Sequence, residues 1–327
     1  MKRLISFLIY LLLASNFLFA QQDAQFSQYI FNQLYYNPAY AGIEDNPRFT
    51  FLSRTQWLGY STTTGDPSAN PNSQILSYAS KLGNRSGIGG YILNDAFGSY
   101  SVAPLRDFQA QLSYAYHVKF GENILSIGLR AGIDFQYINT SNWRPPTDAV
   151  SQDPTLNQIS QNGHQSNVDL GLGLWYKASK FFVGLSSDHL QQSNLKINVT
   201  GGSNNLTNHT YLTAGYIFRL NQNLNFRPTV LVKTDFNSYS IEPNAIFEYS
   251  NYKVWGGVSY RSGDAIIPMI GLSVLKDNSL RIGYSCDFTV INVLGKALTS
   301  QEIMLSYILP PSGSISKPVI KTPRFAF

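Results

Sequence analysis

The chain has little charge: Asp, Glu, Lys and Arg make up 13% of its 327 residues, about half the share usual in soluble domains. It has one cysteine, Cys286, so an internal disulfide is excluded and the fold is not a stapled secreted scaffold. Beyond residue 20 no apolar run is long enough to cross a bilayer as a helix. No dense basic stripe is present, and leaving out Lys2 and Arg3 lowers the formal charge from +5 to +3. A nucleic-acid partner is therefore not expected. The 4 histidines, His117, His164, His189 and His209, show no metal-pair spacing and no H-E-x-x-H. Asp188 and His189 are neighbours that a strand would point to opposite faces. Asp148 and Asp153 sit in a long connection without calcium-loop spacing. Gly87-Ile88-Gly89-Gly90 and Gly171-Leu172-Gly173 lie in alternating segments with no helix after them, which argues against nucleotide binding. No nucleophile, base and orienter stand together as a set. The expectation is a protein that is not an enzyme and has no catalytic, cofactor or metal residues.

What the chain does have begins at its start. Lys2 and Arg3 precede an apolar run from Leu4 to Leu13, and a small residue, Ala20, is followed by the polar Gln21-Gln22-Asp23. That is the pattern of a secretory signal peptide cleaved near Ala20. Aromatics are abundant, at 14%, with 21 Tyr and 20 Phe. From about residue 47 to 309 the chain alternates with the period of strands. Phe108, Ala110, Leu112, Tyr114, Tyr116 and Val118 interleave with Gln109, Gln111, Ser113, Ala115, His117 and Lys119. Leu280, Ile282, Tyr284, Cys286 and Phe288 interleave with Arg281, Gly283, Ser285 and Asp287.

A soluble sandwich would also alternate. Two features favour a transmembrane barrel. Several strands reach the length that a tilted strand needs to cross a bilayer. The connections also alternate between short (82–85, 121–123, 178–179, 221–223, 250–251, 277–278) and long (58–72, 95–104, 139–165, 189–207). Short periplasmic turns and long outer loops are the habit of outer-membrane barrels. The reading is an all-β, transmembrane antiparallel β-barrel of about 14 strands with both termini in the periplasm. Lipid would meet the apolar set. The lumen would be lined by charges including Arg130, Asp134, Asp169, Arg219, Arg261, Arg281, Asp287 and Glu302, with pairs of opposite sign able to close it. Trp57, Trp175 and Trp255 suit either an interfacial girdle or ordinary strand packing.

Asp23-Ala24-Gln25-Phe26-Ser27-Gln28-Tyr29, then Asn37-Pro38-Ala39-Tyr40-Ala41-Gly42, resembles the opening of the PorP/SprF family of type IX secretion-associated outer-membrane proteins. Arg54-Thr55-Gln56-Trp57 is similar to the family's Arg-x-Gln-Trp on its first strand, and Asn94-Asp95 followed by Gly98 to the end of its third. Tyr114-Ala115-Tyr116-His117, Gly184-Leu185-Ser186, Gly215-Tyr216, Tyr260-Arg261 and Gly283-Tyr284-Ser285 follow in family order. Cys286 stands where the family has Tyr, and Gln301 where it has His. The resemblance implies a barrel that assists type IX export or surface anchoring of adhesin-like cargo through the cargo's C-terminal domain, in some members tied to gliding motility. The core secretion-machine member instead contacts periplasmic ring and peptidoglycan-linked proteins. The family-motif residues Phe26, Gln28, Tyr29, Asn37, Pro38, Ala39, Tyr40, Gly42, Arg54, Trp57 and Asp95 are the candidate partner positions.

The expected organisation is a signal peptide at 1–20, an N-terminal segment at 21–46, the barrel at 47–309 and a periplasmic tail at 310–327. The N-terminal segment carries Phe26, Tyr29, Ile30, Phe31, Leu34, Tyr35 and Tyr36. So apolar a segment is expected to plug the lumen or to lie on the periplasmic rim. Competing functions are a porin-like solute channel and a soluble carbohydrate-binding β-protein.

Overall fold

The computed structural model describes residues 23–58, 70–97, 105–138, 164–191, 194–195, 204–205, 207–275, 277–290 and 299–310. The expected signal peptide, Asp148, Asp153 and the tail beyond residue 310 lie outside these. Fourteen strands run antiparallel: β1 (Arg48–Thr55), β2 (Asn72–Leu82), β3 (Ser86–Phe97), β4 (Leu105–Phe120), β5 (Asn123–Ile138), β6 (His164–Lys177), β7 (Phe181–Asp188), β8 (His209–Tyr216), β9 (Leu224–Thr234), β10 (Tyr239–Tyr249), β11 (Val254–Arg261), β12 (Ala265–Ser273), β13 (Leu280–Thr289) and β14 (Thr299–Ile308). Each pairs with the next in sequence, and Arg48↔Ile308 through Thr55↔Gln301 joins β1 to β14. The sheet is closed, which leaves the barrel without an open edge and satisfies the strand backbone without water. Two residues, Phe218–Arg219, extend β8 past a break at Ile217 and also pair with β9.

The alternation read from the sequence becomes the inside and outside of this cylinder. On β4, Phe108, Leu112, Tyr114 and Tyr116 are exposed, while Gln109, Gln111, Ser113, Ala115 and His117 are buried. Leu112 is 71% exposed and is one of a band of exposed apolar side chains with Phe108, Ile127, Leu129 and Ile133, a surface suited to lipid. Among the described residues no helix is long and apolar enough to cross a membrane. One end of the barrel carries the long connections and also the short ones at 235–238 and 262–264, while the other carries only short turns. Gly83 and Gly121 supply positive φ there, and Ser250, Asn251 and Tyr252 adopt it without glycine. The β2 to β6 wall is tall, at 11 to 16 residues per strand, against 8 in β7, β8 and β11.

The barrel's core is its own N-terminal segment. Residues 23–46 lie inside the lumen as three single turns, Tyr29–Phe31, Gln33–Tyr36 and Pro38–Tyr40, and nearly every residue from 26 to 43 is buried. Phe26, Tyr29, Ile30, Phe31, Tyr35 and Tyr36 form one apolar cluster with inward Leu52, Ile75, Leu93, Leu231, Ile246, Ile267 and Met304. This explains why β12 is apolar on both faces: Ile266 and Ile270 meet lipid, and Ile267 and Met269 meet the plug. Burying each such aromatic contributes roughly 2–3 kcal/mol.

Candidate functional site

The plug crosses the lumen from one end to the other. At the short-turn end Glu44 pairs with Arg48 at 2.6 Å and Lys177 Nζ donates to the Ile43 carbonyl at 3.3 Å. Asp45 lies at the same rim, and the hydrogen bond from Lys81 holds its carboxyl below the ordinary range. At the other end Asp23 meets His209, the first residue of β8, and His189, just past β7. The even strand number does bring the start of β1 and the end of β14 to the short-turn side. The residues ahead of β1 then turn back up the lumen, so the described N-terminal end lies at the long-loop mouth and not on the periplasmic side expected for both termini.

Near that mouth a charged cluster grips the plug. Glu302 accepts the backbone N–H groups of Ser27 at 2.7 Å and Gln28 at 2.8 Å. Ser27 Oγ donates to Asp287 at 2.7 Å, and Arg54 Nη1 donates to Ser27 Oγ at 2.5 Å. Asp287 pairs with Arg54 at 2.7 Å and with Arg261 at 2.8 Å, and Arg261 Nε donates to Glu242 at 2.8 Å. These five charged side chains are at most 2% exposed. Such ions are tolerable out of water only because each is paired and further lone pairs are taken by plug donors at Glu302 and Asp287 and by Ser259 at Glu242.

On the opposite wall Arg130 pairs with Asp188 at 2.6 Å and also donates to the Leu34 carbonyl. Gln111 Nε2 donates to Asp169 at 2.9 Å. The pairs expected across the lumen thus run along the wall, between strands one or two apart, and the plug occupies the centre.

Below the charges the contacts become neutral and close. Asn37 Nδ2 donates to the Leu174 carbonyl at 3.0 Å, Ser126 Oγ to the Ala39 carbonyl at 2.6 Å, and Ser186 Oγ to the Tyr36 carbonyl at 2.5 Å. A Cβ on Gly87 would collide with the Ala41 carbonyl, and one on Gly128 with the Ala39 backbone. Glycine lets the two backbones touch. Gly42 itself turns with φ +72°.

The family-motif residues fall largely in these contacts. Phe26 stacks edge-on against Tyr35 at 5.5 Å, and Tyr29 hydroxyl donates to the Glu242 carbonyl at 3.1 Å. Pro38 and Ala39 form the last turn, capped by Asn37 Oδ1 at 2.9 Å from Ala39 N–H. Tyr40 packs on Trp175 at 5.0 Å. Asp95 accepts from Ser73 Oγ at 2.6 Å. Trp57 lies half-buried past β1, its N–H donating to Ser300 Oγ at 3.0 Å.

Asp134 faces inward and is fully buried, and Arg281 lies over the Tyr252 ring at 4.1 Å. Arg219 is a correction: it is exposed, because it sits past the break at Ile217, on the short-turn rim where the lumen ends. Trp175 and Trp255 are buried against the plug rather than set in a girdle, Trp255 at 4.5 Å from Phe31. Asp188 and His189 do not point to opposite faces. The strand stops at Asp188, and His189, with φ +58°, turns its ring back inside, so both are buried.

The fold is shared with solved transporters and channels at low identity. The Ralstonia pickettii toluene transporter TbuX aligns at TM-score 0.50 and 13% identity, over 85% of this chain and 93% of that one. A deltaS2S3 mutant of the TodX monoaromatic hydrocarbon channel aligns at 0.52 and 14%, over 84% and 93%, and the CymD monoaromatic hydrocarbon channel at 0.50 and 12%, over 84% and 91%. These likenesses show the barrel fold alone. Comparison with curated proteins gives no match. A family model described as type IX secretion system membrane protein PorP/SprF matches residues 18–307. With almost the whole chain matched, and with the family's opening block folded as the plug of an outer-membrane barrel, the protein belongs to the PorP/SprF family of type IX secretion system membrane proteins.

Proposed function

We propose that this barrel assists type IX export and surface retention of an adhesin-like cargo, holding the cargo's C-terminal domain at its long-loop mouth. The observation that carries the reading is the filled lumen. Residues 23–46 span the interior from mouth to rim, tied to the wall by buried ion clusters and by backbone contacts. A solute pore needs a continuous polar path, and buried charges whose partners are already present offer a solute little. A barrel with a closed interior still offers a rigid platform, and binding residues commonly sit on loops held by such a scaffold. In this arrangement the buried motif residues Gln28, Asn37 and Arg54 position the plug, Asp95 is buried against Ser73 in the wall, and none of the four is accessible to a partner, so cargo contact falls to the loops. In this reading 1–20 is a signal peptide and 310–327 a periplasmic tail.

The test is a pull-down of the detergent-extracted protein from the native outer membrane. Recovery of a large secreted protein, lost when that protein's C-terminal domain is deleted, supports the reading. Recovery of periplasmic ring or peptidoglycan-linked proteins alone replaces it with a role in the core secretion machine.

A further inference from the structure

Asp23, His189 and His209 meet at the long-loop mouth, apart from the ion clusters that seat the plug. His189 Nε2 lies 3.1 Å from Asp23 Oδ1, and His209 Nδ1 lies 2.8 Å from Asp23 Oδ2. The two imidazoles stand edge to face with centroids 5.6 Å apart. One ligand atom from each of the three residues falls within 4.8 Å of the others. Zinc bonds of about 2.0–2.1 Å place tetrahedral ligand atoms roughly 3.3 Å apart, so the two contacts to Asp23 need a small expansion and any pair near the 4.8 Å limit a modest closure to admit an ion.

Two further contacts complete the pattern of a metal centre. Asp169 Oδ1 lies 3.0 Å from His189 Nδ1, on the far side of the ring from Asp23, and Gln111 fixes the other oxygen of Asp169. A carboxylate behind a ligating histidine sets its tautomer and makes the facing nitrogen the metal donor. Tyr211 hydroxyl donates to Asp23 at 2.5 Å and orients that carboxylate. A cavity lined by Asp23, His209, Tyr211, Lys233 and Asp235 adjoins the cluster and leaves room for a water as the fourth ligand. Two imidazoles with one carboxylate suit zinc and its neighbours rather than calcium or magnesium, which take oxygen ligands.

We propose that Asp23, His189 and His209 bind one divalent transition-metal ion of the zinc class, with Asp169 as the positioning residue behind His189. The ion ties three segments remote in sequence: the start of the plug, the end of β7 and the start of β8. Its ligands must be deprotonated to bind, so binding weakens as the solution is acidified.

Full-length mature barrel, untagged, stripped of metal and held in detergent, is titrated with Co2+ as a visible probe. The expected result is one Co2+ per chain with the strong visible absorption of a four-coordinate ion, displaced by Zn2+. Asp169→Asn is expected to lower affinity about 10- to 100-fold, and His209→Ala to abolish the absorption. Absence of a saturable four-coordinate spectrum in the unaltered protein overturns the proposal. So does an unchanged spectrum in His209→Ala that still runs as a folded, heat-modifiable barrel on a gel. Should that variant fail to fold, the spectrum of the unaltered protein decides alone.

Discussion

At its outer end the plug meets buried arginines and carboxylates; below them it meets glycines, hydroxyls and a tryptophan, ahead of the rim pairs Glu44–Arg48 and Asp45–Lys81. Ser27 and Gln28 are held by Glu302, Asp287 and Arg54. Residues 37 to 42 are held by Gly87, Gly128, Ser126 and Trp175. The two ends teach different things about how a segment is seated in a barrel. A buried ion cluster adds little net stability over an apolar replacement, but it is unforgiving of a missing member and so fixes one register. Glycine contacts fix distance instead: the backbone approaches until it touches, and any side chain added there pushes it away.

The comparison can be broken one end at a time. Glu302→Ala removes the acceptor of two plug N–H groups and leaves Arg54 with one carboxylate fewer. The expected loss is about 3–5 kcal/mol, read as a lower urea midpoint for the detergent-held barrel. A change below about 1 kcal/mol would mean that the cluster does not seat the plug.

At the other end Gly128→Leu forces a side chain into the Ala39 backbone. Overpacking of this kind costs about 1–3 kcal/mol. Its signature differs: protease cuts near residues 37 to 42 while residues 26 to 28 stay protected. Equal protection at both ends would show that the plug moves as one body and the distinction is false. Asn37→Ala removes the donor to the Leu174 carbonyl and the cap on Ala39, for a loss of about 1 kcal/mol in the same unfolding measurement. The smallest effect is expected from Asp45→Asn at the rim. Asp45 is 87% exposed beside Lys81, so the change should fall within about 0–1 kcal/mol.

The two ends were also unequally legible in the sequence. The alternation of β4 and β5 gave both faces of the wall, because a side-chain period of two is a local property. The apolar run through Phe26, Phe31 and Tyr36 made a plug or rim segment the expectation, since so much apolar surface does not stay in water. Glycines at inward positions 87 and 128 stand where the plug backbone approaches, which the alternation along the chain does not announce.

The partners of the charges were not legible. Ser27 and Glu302 are 275 residues apart, and no pattern along the chain announces such a contact. Arg219 follows the alternation on paper but lies past a break in β8, at the rim. His189 escaped for a related reason: the strand rule placed it opposite Asp188, and a single residue at positive φ undid the rule. Asp23 and His209 could be joined to it only once the N-terminal segment was seen to climb to the outer mouth.

The account rests on a lumen closed by its own N-terminal segment, and single-channel recording in planar bilayers tests that most directly. The mature protein should give no steady conductance, and the same barrel lacking residues 23–46 should give large, long-lived steps if it still folds. Steady ohmic conductance from the intact protein would contradict the account.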